Sequence, residues 1–362
     1  VFRHFRGSIV FTIAALSGAA YLGYYSEGTV QAALAMLWVA LVLGVMETSL
    51  SLDNAVVNAT VLKRMSPFWQ KMFLTVGILI AVFGMRIVFP LLIVAVAGQI
   101  GFFEAGRIAL EEPEHYKEII TAAHVGISGF GGAFLALVGL TFFFDSDKDV
   151  HWAPWIEEMF ARAGGFSVMP YALTALMFGL FSFAVAPEEM QTYLVSASAG
   201  VATFFAVKKI SALLEVSEKT ENAVARVGLG AFLYLEVLDA SFSFDGVIGA
   251  FALSNNIILI GLGLGIGAMF VRSLTVLLVK EGTLNEYRYL EHGAFWAILA
   301  LAGIMMVSPL FEMPQAVTGF IGAALIAAAF VGSKRYNERD PEEVEDGRVV
   351  LSTYVPAPKT NA

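Results

Sequence analysis

Cysteine is absent from all 362 residues, which excludes disulfides, thiolate metal sites and cysteine nucleophiles together. Any metal held by this chain must therefore rest on oxygen or imidazole. Charge is scarce too. Only 15% of residues are Asp, Glu, Lys or Arg, against about 25% in an ordinary soluble domain. The balance that remains, −9, has the wrong sign for a nucleic-acid-binding face.

What the chain has in place of charge is apolar length. Hydrophobic residues make up 58%, and they fall in long blocks rather than in alternation with polar ones. A hydrocarbon core needs about 20 apolar residues as helix, and several blocks reach that. Blocks without alternation argue for helices and against a membrane barrel. The expected fold class is all-α, a polytopic transmembrane helix bundle lying in a lipid bilayer.

Ten spans are read, near residues 8–25, 30–62, 72–97, 122–144, 167–186, 191–207, 228–253, 256–279, 292–311 and 315–331. The first follows Arg3 and Arg6 and ends at Tyr24, Tyr25, Ser26 and Glu27 without a small-residue cleavage pattern, so it reads as a span and not a signal peptide. The acidic connection 98–121 is expected to be interfacial or external, and the stretch around Trp152, Trp155 and Glu157 a short interfacial helix. The charged, proline-bearing tail 333–362 is expected to be disordered and cytoplasmic. With the N-terminus inside, alternation puts nearly all Lys and Arg on one side and only Arg107 and Lys117 on the other. The positive-inside rule then gives a bacterial-type inner membrane protein with both termini cytoplasmic.

The chain also repeats. Glu47, Ser49, Ser51, Asp53 and Asn54 in the second span match Asp239, Ser241, Ser243, Asp245 and Gly246 in the seventh. Arg86 in the third span matches Arg272 in the eighth, and His124 opens the fourth as His292 opens the ninth. Met169, Pro170, Ala172 and Thr174 recur as Met313, Pro314, Ala316 and Thr318. These correspondences keep their order and lie five spans apart. An odd repeat length inverts the second half in the membrane, giving repeats over 1–186 and 187–332, an architecture common among secondary transporters with midplane sites.

Five carboxylates, Glu47, Asp53, Glu236, Asp239 and Asp245, fall within the two motif spans. Unpaired at helix centres they would cost on the order of 12–17 kcal/mol. Arg86 and Arg272 offset part of this, as counter-ions or as gates; a bound dication or protonation must supply the rest. Glu47 with Ser51, Ser49 with Asp53, Asp239 with Ser243, and Ser241 with Asp245 are i, i+4 neighbours on a helix face. Glu47 and Asp53 are six apart and converge only if the helix bends between them. The donors Glu47, Ser51, Asp53, Asn54, Glu236, Asp239, Ser243 and Asp245, with Asn58 as a further amide, are hard oxygen ligands. They suit manganese(II), magnesium or calcium rather than copper(I) or zinc. His124 and His292 read as gate or proton-coupling residues, or else as interfacial caps. The glycine runs 126–132 and 261–267 read as close helix packing, since no strand precedes them to make a nucleotide fingerprint.

At residues 47–54 and 239–246 the chain resembles the TerC family of integral membrane proteins, within the lysine-exporter-like superfamily. The resemblance lies in a paired acidic, serine-containing motif in two helices, each followed by an arginine, here Arg86 and Arg272. It implies manganese export, metal supply to secreted enzymes or a link to tellurium resistance, with Glu47, Asp53, Asp239 and Asp245 as the ion-handling acids. Gly246 departs from the family's amide or hydroxyl after the second aspartate, and Glu236 is an additional acid. The leading expectation is therefore a non-enzymatic exporter of a hard divalent cation, working by alternating access; a homo-oligomer is compatible with it. Its rival is a membrane component that senses or delivers metal without net transport. An intramembrane hydrolase built on Asp53 and Asp245 would leave the serines, arginines and repeat unexplained.

Overall fold

The computed structural model describes residues 2–215, 223–311 and 313–339. Helix dominates, and no strand occurs among the described residues. In order the helices are α1 (Phe2–Glu27), α2 (Val30–Leu50), α3 (Leu52–Leu62), α4 (Pro67–Leu79), α5 (Phe89–Ala97), α6 (Phe102–Glu111), α7 (Pro113–Ala122) and α8 (His124–Phe143). They continue as α9 (Pro154–Ala163), α10 (Met169–Phe181), α11 (Pro187–Glu215), α12 (Ala223–Ala250), α13 (Ile257–Lys280), α14 (Thr283–Glu286), α15 (Leu290–Val307) and α16 (Gln315–Arg339). Eight helical segments are long and apolar enough to cross a bilayer, so the chain is a polytopic membrane bundle. The fifth expected span is the shorter apolar helix Met169–Ala184. The seventh lies in α12, 28 residues long and interrupted by its acids.

Contacts near the helix ends sort them into two groups. At one end His4 meets Glu281, Arg64 meets Glu291, and Asn337 bonds the Glu286 carbonyl. At the other end Glu114 accepts from Asn255, Tyr193 donates to the Met306 carbonyl, and Ser308 donates to Ser128. Both the start of α1 and the end of α16 therefore lie at the first end. α12 runs the full distance: Gly228 abuts Trp69 at one end and Phe251 meets Tyr116 at the other.

The core packing follows the repeat. The α2–α3 span packs on α13 and α15, while α12 packs on the α4–α5 span and on α8. The α4–α5 span also meets α13, and α8 meets α15. This set maps onto itself when the halves are exchanged. Outer helices break the pattern, since α1 leans on α13 whereas α11 leans on α8. Glycine makes the close approaches, as its sequence runs suggest. Gly129 of α8 faces the Tyr193 carbonyl of α11, and Gly267 of α13 lies against the Glu47 side chain.

One expectation needs correction. The segment from 333 does not begin a tail: α16 continues to Arg339, and buried Ser333 accepts from the Tyr289 amide. Only residues 340–362 of the expected tail lie outside the described residues. The connection 98–121 folds as α6 and α7, amphipathic helices that bury Ala105, Ile108, Tyr116 and Ile120 against the bundle.

α9 is fastened to α15 by one carboxylate. Glu157, fully buried, reaches back over its own helix start to accept from the Trp152 and Ala153 amides at 3.1 and 3.2 Å. It also pairs with His292 Nδ1 at 2.7 Å and accepts from Trp296 Nε1 at 2.9 Å. Burial alone would raise its pKa; the bonds from His292 and Trp296 and the charge of Lys148 hold it down, at about 2. Lys148 itself is buried over the Phe142 ring at 3.9 Å, and burial pulls its pKa down to about 8 against the attraction of Glu157. Because the folded pKa of Glu157 lies below its ordinary value of 4.5, its contribution is complete above that pH and fades as pH falls toward about 2. Detergent-solubilised Glu157→Ala should lose about 3 kcal/mol of stability at neutral pH, read from its melting curve. The wild-type chain should converge on that variant as pH drops from about 4.5 to about 2; an unchanged gap would disprove the latch.

Candidate functional site

A bend falls where the spacing of the acids requires one. α2 ends at Leu50, α3 begins at Leu52, and Ser51 between them has φ −101° and ψ 23°. Backbone bonds continue across it, from Ser51 N–H to the Glu47 carbonyl and from Ala55 N–H to the Ser51 carbonyl, both 3.1 Å. The span is kinked without being unwound. Its counterpart is different: α12 passes through Asp239 and Asp245 without interruption.

The third span carries its own distortion. Between α4 and α5, residues Ile80–Val88 widen into π-helix, and the Phe89 amide bonds five residues back to the Gly84 carbonyl. Pro90 follows directly; it has no N–H to give, and its ring would crowd the carbonyl four residues earlier, at Arg86. Widening relieves that conflict. It also places Arg86 on the bulge, a common location for functional side chains.

Each half neutralises one motif acid with its own arginine. In the first, Arg86 forms a short ion pair from Nη2 to Glu47 Oε1 and donates Nη1 to the Ala81 carbonyl at 2.9 Å. Ser51 donates to the same Glu47 oxygen at 3.4 Å. In the second, Arg272 donates Nη2 to Asp239 at 3.2 Å and Nη1 to the Phe73 carbonyl at 2.6 Å, with its guanidinium 3.8 Å from the Phe73 ring centre. Asn58 of α3 crosses to the second half and donates to Asp239 at 2.8 Å. All of these charged groups are buried.

A cavity of about 950 Å³ enters from the end marked by Glu114 and Asn255. Exposed Thr121, Met313 and Pro314 and half-buried Glu189 frame it, and its deep wall carries Glu47, Ser51, Asp53 and Asn54. Asp53 accepts the Asn54 backbone amide at 2.9 Å, and among the described residues the side-chain oxygen of Asn54 has no partner. The opposite wall is α12. A Cβ on Gly246 would stand 2.6 Å from Glu47 Oε2, so the glycine that departs from the motif is the residue that lets this carboxylate lie against the other half.

Not every expected residue converges. Glu236, Asp239 and Ser243 are buried away from the cavity wall. The backbone of Asp245 is in α12, but its side chain lies outside the described residues. Among the described residues no three acids or histidines come within metal-binding reach of one another. Ser49 is exposed and bonds the Val45 carbonyl in place of Asp53, and Ser241 turns back to the Val237 carbonyl, as helical serines often do. His124 lines the cavity mouth, 3.3 Å from Ser128. His292 lies at the opposite end, where it pairs with Glu157 because α9 folds over the start of α15. Sequence reading placed Glu157 in a short interfacial helix but gave it no partner. Its only signal was the Pro154–Trp155 helix start that lets a carboxylate in the first turn fold back.

Residues 52–340 match a family described as a protein of unknown function, DUF475. The chain belongs to that family. Neither a curated protein nor a solved structure matches it. The DUF475 match begins between the two acids of the first motif, so it takes in Asp53, Asn54, both arginines and the whole second motif, and leaves Glu47 and Ser51 outside.

The ion pairs predict a specific coupling. Arg86→Met alone should cost about 3–5 kcal/mol, because it strands Glu47 in the interior. Combined with Glu47→Gln it should cost clearly less than the sum of the two single changes, as measured by melting in detergent. Simple additivity would mean the pair is not a unit. Gly246→Ala should cost about 1–3 kcal/mol by overpacking, and Glu47→Ala in the same chain should relieve it.

Proposed function

We propose that this protein is a secondary transporter that exports a hard divalent cation, manganese(II) foremost, through the cavity between its halves. The observation that carries the reading is the path itself. A wide opening leads from one membrane face to oxygen donors held in low dielectric, which intramembrane ionisable groups rarely line without a functional reason. With Glu47 committed to Arg86 and Asp239 to Arg272, Asp53 at the cavity wall is the motif acid left to meet a dication. Carboxylate and amide oxygens are the ligands such a cation prefers, with calcium and magnesium as the alternatives to manganese. The likeness of both motifs to the TerC family supports the same substrate. The concentration of Lys and Arg at the end bearing both termini supports a cytoplasmic placement of that end in a bacterial-type inner membrane. The open cavity then faces outward, and alternating access would close it as the opposite end opens.

Purified chain in liposomes loaded with a manganese-sensitive dye should show saturable manganese(II) flux. Asp53→Asn should reduce the initial rate at least about tenfold, since the carboxylate at the cavity wall that no arginine claims is gone. Equilibrium manganese(II) binding without flux in the intact protein would instead favour a component that senses or delivers metal.

A further inference from the structure

The end opposite the cavity mouth is closed by aromatic rings. Phe142 at the end of α8 stacks face to face on Phe295 of α15, centres 3.9 Å apart, and Phe143 meets Trp296 at 4.6 Å. The same two helices line the cavity, α8 through His124 and Val125, α15 through Leu301 and Met305. They border an opening at one end and are packed ring on ring at the other. α9 crosses this closure, with Phe160 5.1 Å from the Phe144 ring and Glu157 bonded to both His292 and Trp296.

One group within the closure works against it. Lys148, in the loop 144–153, is 4% exposed, and among the described residues its Nζ donates no hydrogen bond. It lies over two rings, 3.9 Å from the centre of Phe142 and 4.8 Å from that of Phe143. Ring faces attract a cation, yet they offer no lone pair to its three N–H groups. Carboxylates act on it from three elements: Glu157 of α9, Asp145 of its own loop and Glu291 of α15. His292 of α15 feels its charge, while Arg64 of α3 draws on Glu291 and Lys208 of α11 on Asp145. Burial outweighs these attractions and brings the seated amine to about 8, well below its ordinary 10.5.

We propose that α9 and the loop 144–153 form a releasable strap across the closed ends of α8 and α15, seated while the Lys148 amine is neutral and loosened when it carries its proton. The sign follows from burial. Between about 8 and 10.5 a Lys148 released into water keeps its proton and a seated one has lost it, so rising pH favours the seated strap. An apolar side chain would fit these rings without that conflict; a lysine makes the closure conditional. The seating of the strap needs no cargo. Its control over transport rests on the transport reading, in which this end must open during the cycle.

The test is a distance between spin labels in the purified full chain in detergent. Because the chain has no cysteine, labels can be confined to Met159→Cys on α9 and Lys334→Cys on α16, both exposed positions. The ratio of seated to released populations should rise at least about tenfold from pH 7 to pH 10. In this background Lys148→Met should show the high ratio at both pH values, and Lys148→Arg, which stays charged, the low one. Melting curves establish that each chain is folded. A single distance that pH leaves unchanged, or a ratio that falls with pH, overturns the strap whichever variants fold. So does a pH dependence retained by Lys148→Met, or a ratio lower in that variant at pH 7, since the charged amine would then be holding α9 down. In liposomes at pH 7, Lys148→Met should slow manganese(II) flux at least about threefold, and equal flux would overturn the strap's hold on transport. Absence of flux from the wild-type chain sinks the transport reading alone, because the distance measurement uses no cargo.

Discussion

Neutralising carboxylates away from water is the constraint around which this bundle is organised. Glu47 and Asp239 sit at equivalent places in two halves, and each is met by an arginine from the next span of its own half. A buried ion pair gains little over well-packed apolar residues, because desolvating both charges offsets most of their attraction. What it does impose is position. Arg86 requires the π-turn at Ile80–Val88, and Arg272 requires the Phe73 carbonyl and ring of the opposite half. The pairs therefore lock span to span, and the glycines at 246 and 267 exist where the locked carboxylate needs room.

Much of this was legible in the residues because the bilayer simplifies the code. Long apolar blocks leave helix as the only spanning element, and the order of the paired motifs gives the register between halves without any contact being known. The need for a bend between Glu47 and Asp53 followed from helical spacing alone, and the bend lies at Ser51. Pairwise choices were less legible. Ser49 and Ser241 each had an acid one turn away, yet a hydroxyl in a helix always has a competing carbonyl four residues back, and that nearer acceptor won. The partner of His292 was not legible for another reason: Glu157 lies 135 residues away, on a short helix whose docking no local pattern encodes.

The departures from the repeat are where the two halves acquire separate tasks. At Gly246 a missing side chain lets one half's acid approach the other. At Glu236 an added acid breaks the match with Gly44 and leaves a charge that no arginine claims in full. A duplicated bundle that transports, as proposed above, would need such differences, since identical halves would present identical sites.

Conformational asymmetry points the same way. The first half is kinked at Ser51 and π-widened near Arg86, while among the described residues the corresponding α12 and α13 are regular α-helix. The cavity opens beside the distorted half, at one end only. In an inverted repeat, exchanging the conformations of the halves turns an opening at one membrane face into an opening at the other. The obstacle to that exchange is also visible. Pro90 fixes the π-turn in the first half, and α13 has no proline at all, so the second half would have to adopt the distortion without its covalent cause. Under the transport cycle proposed above, the energy for that step must therefore come from outside the backbone.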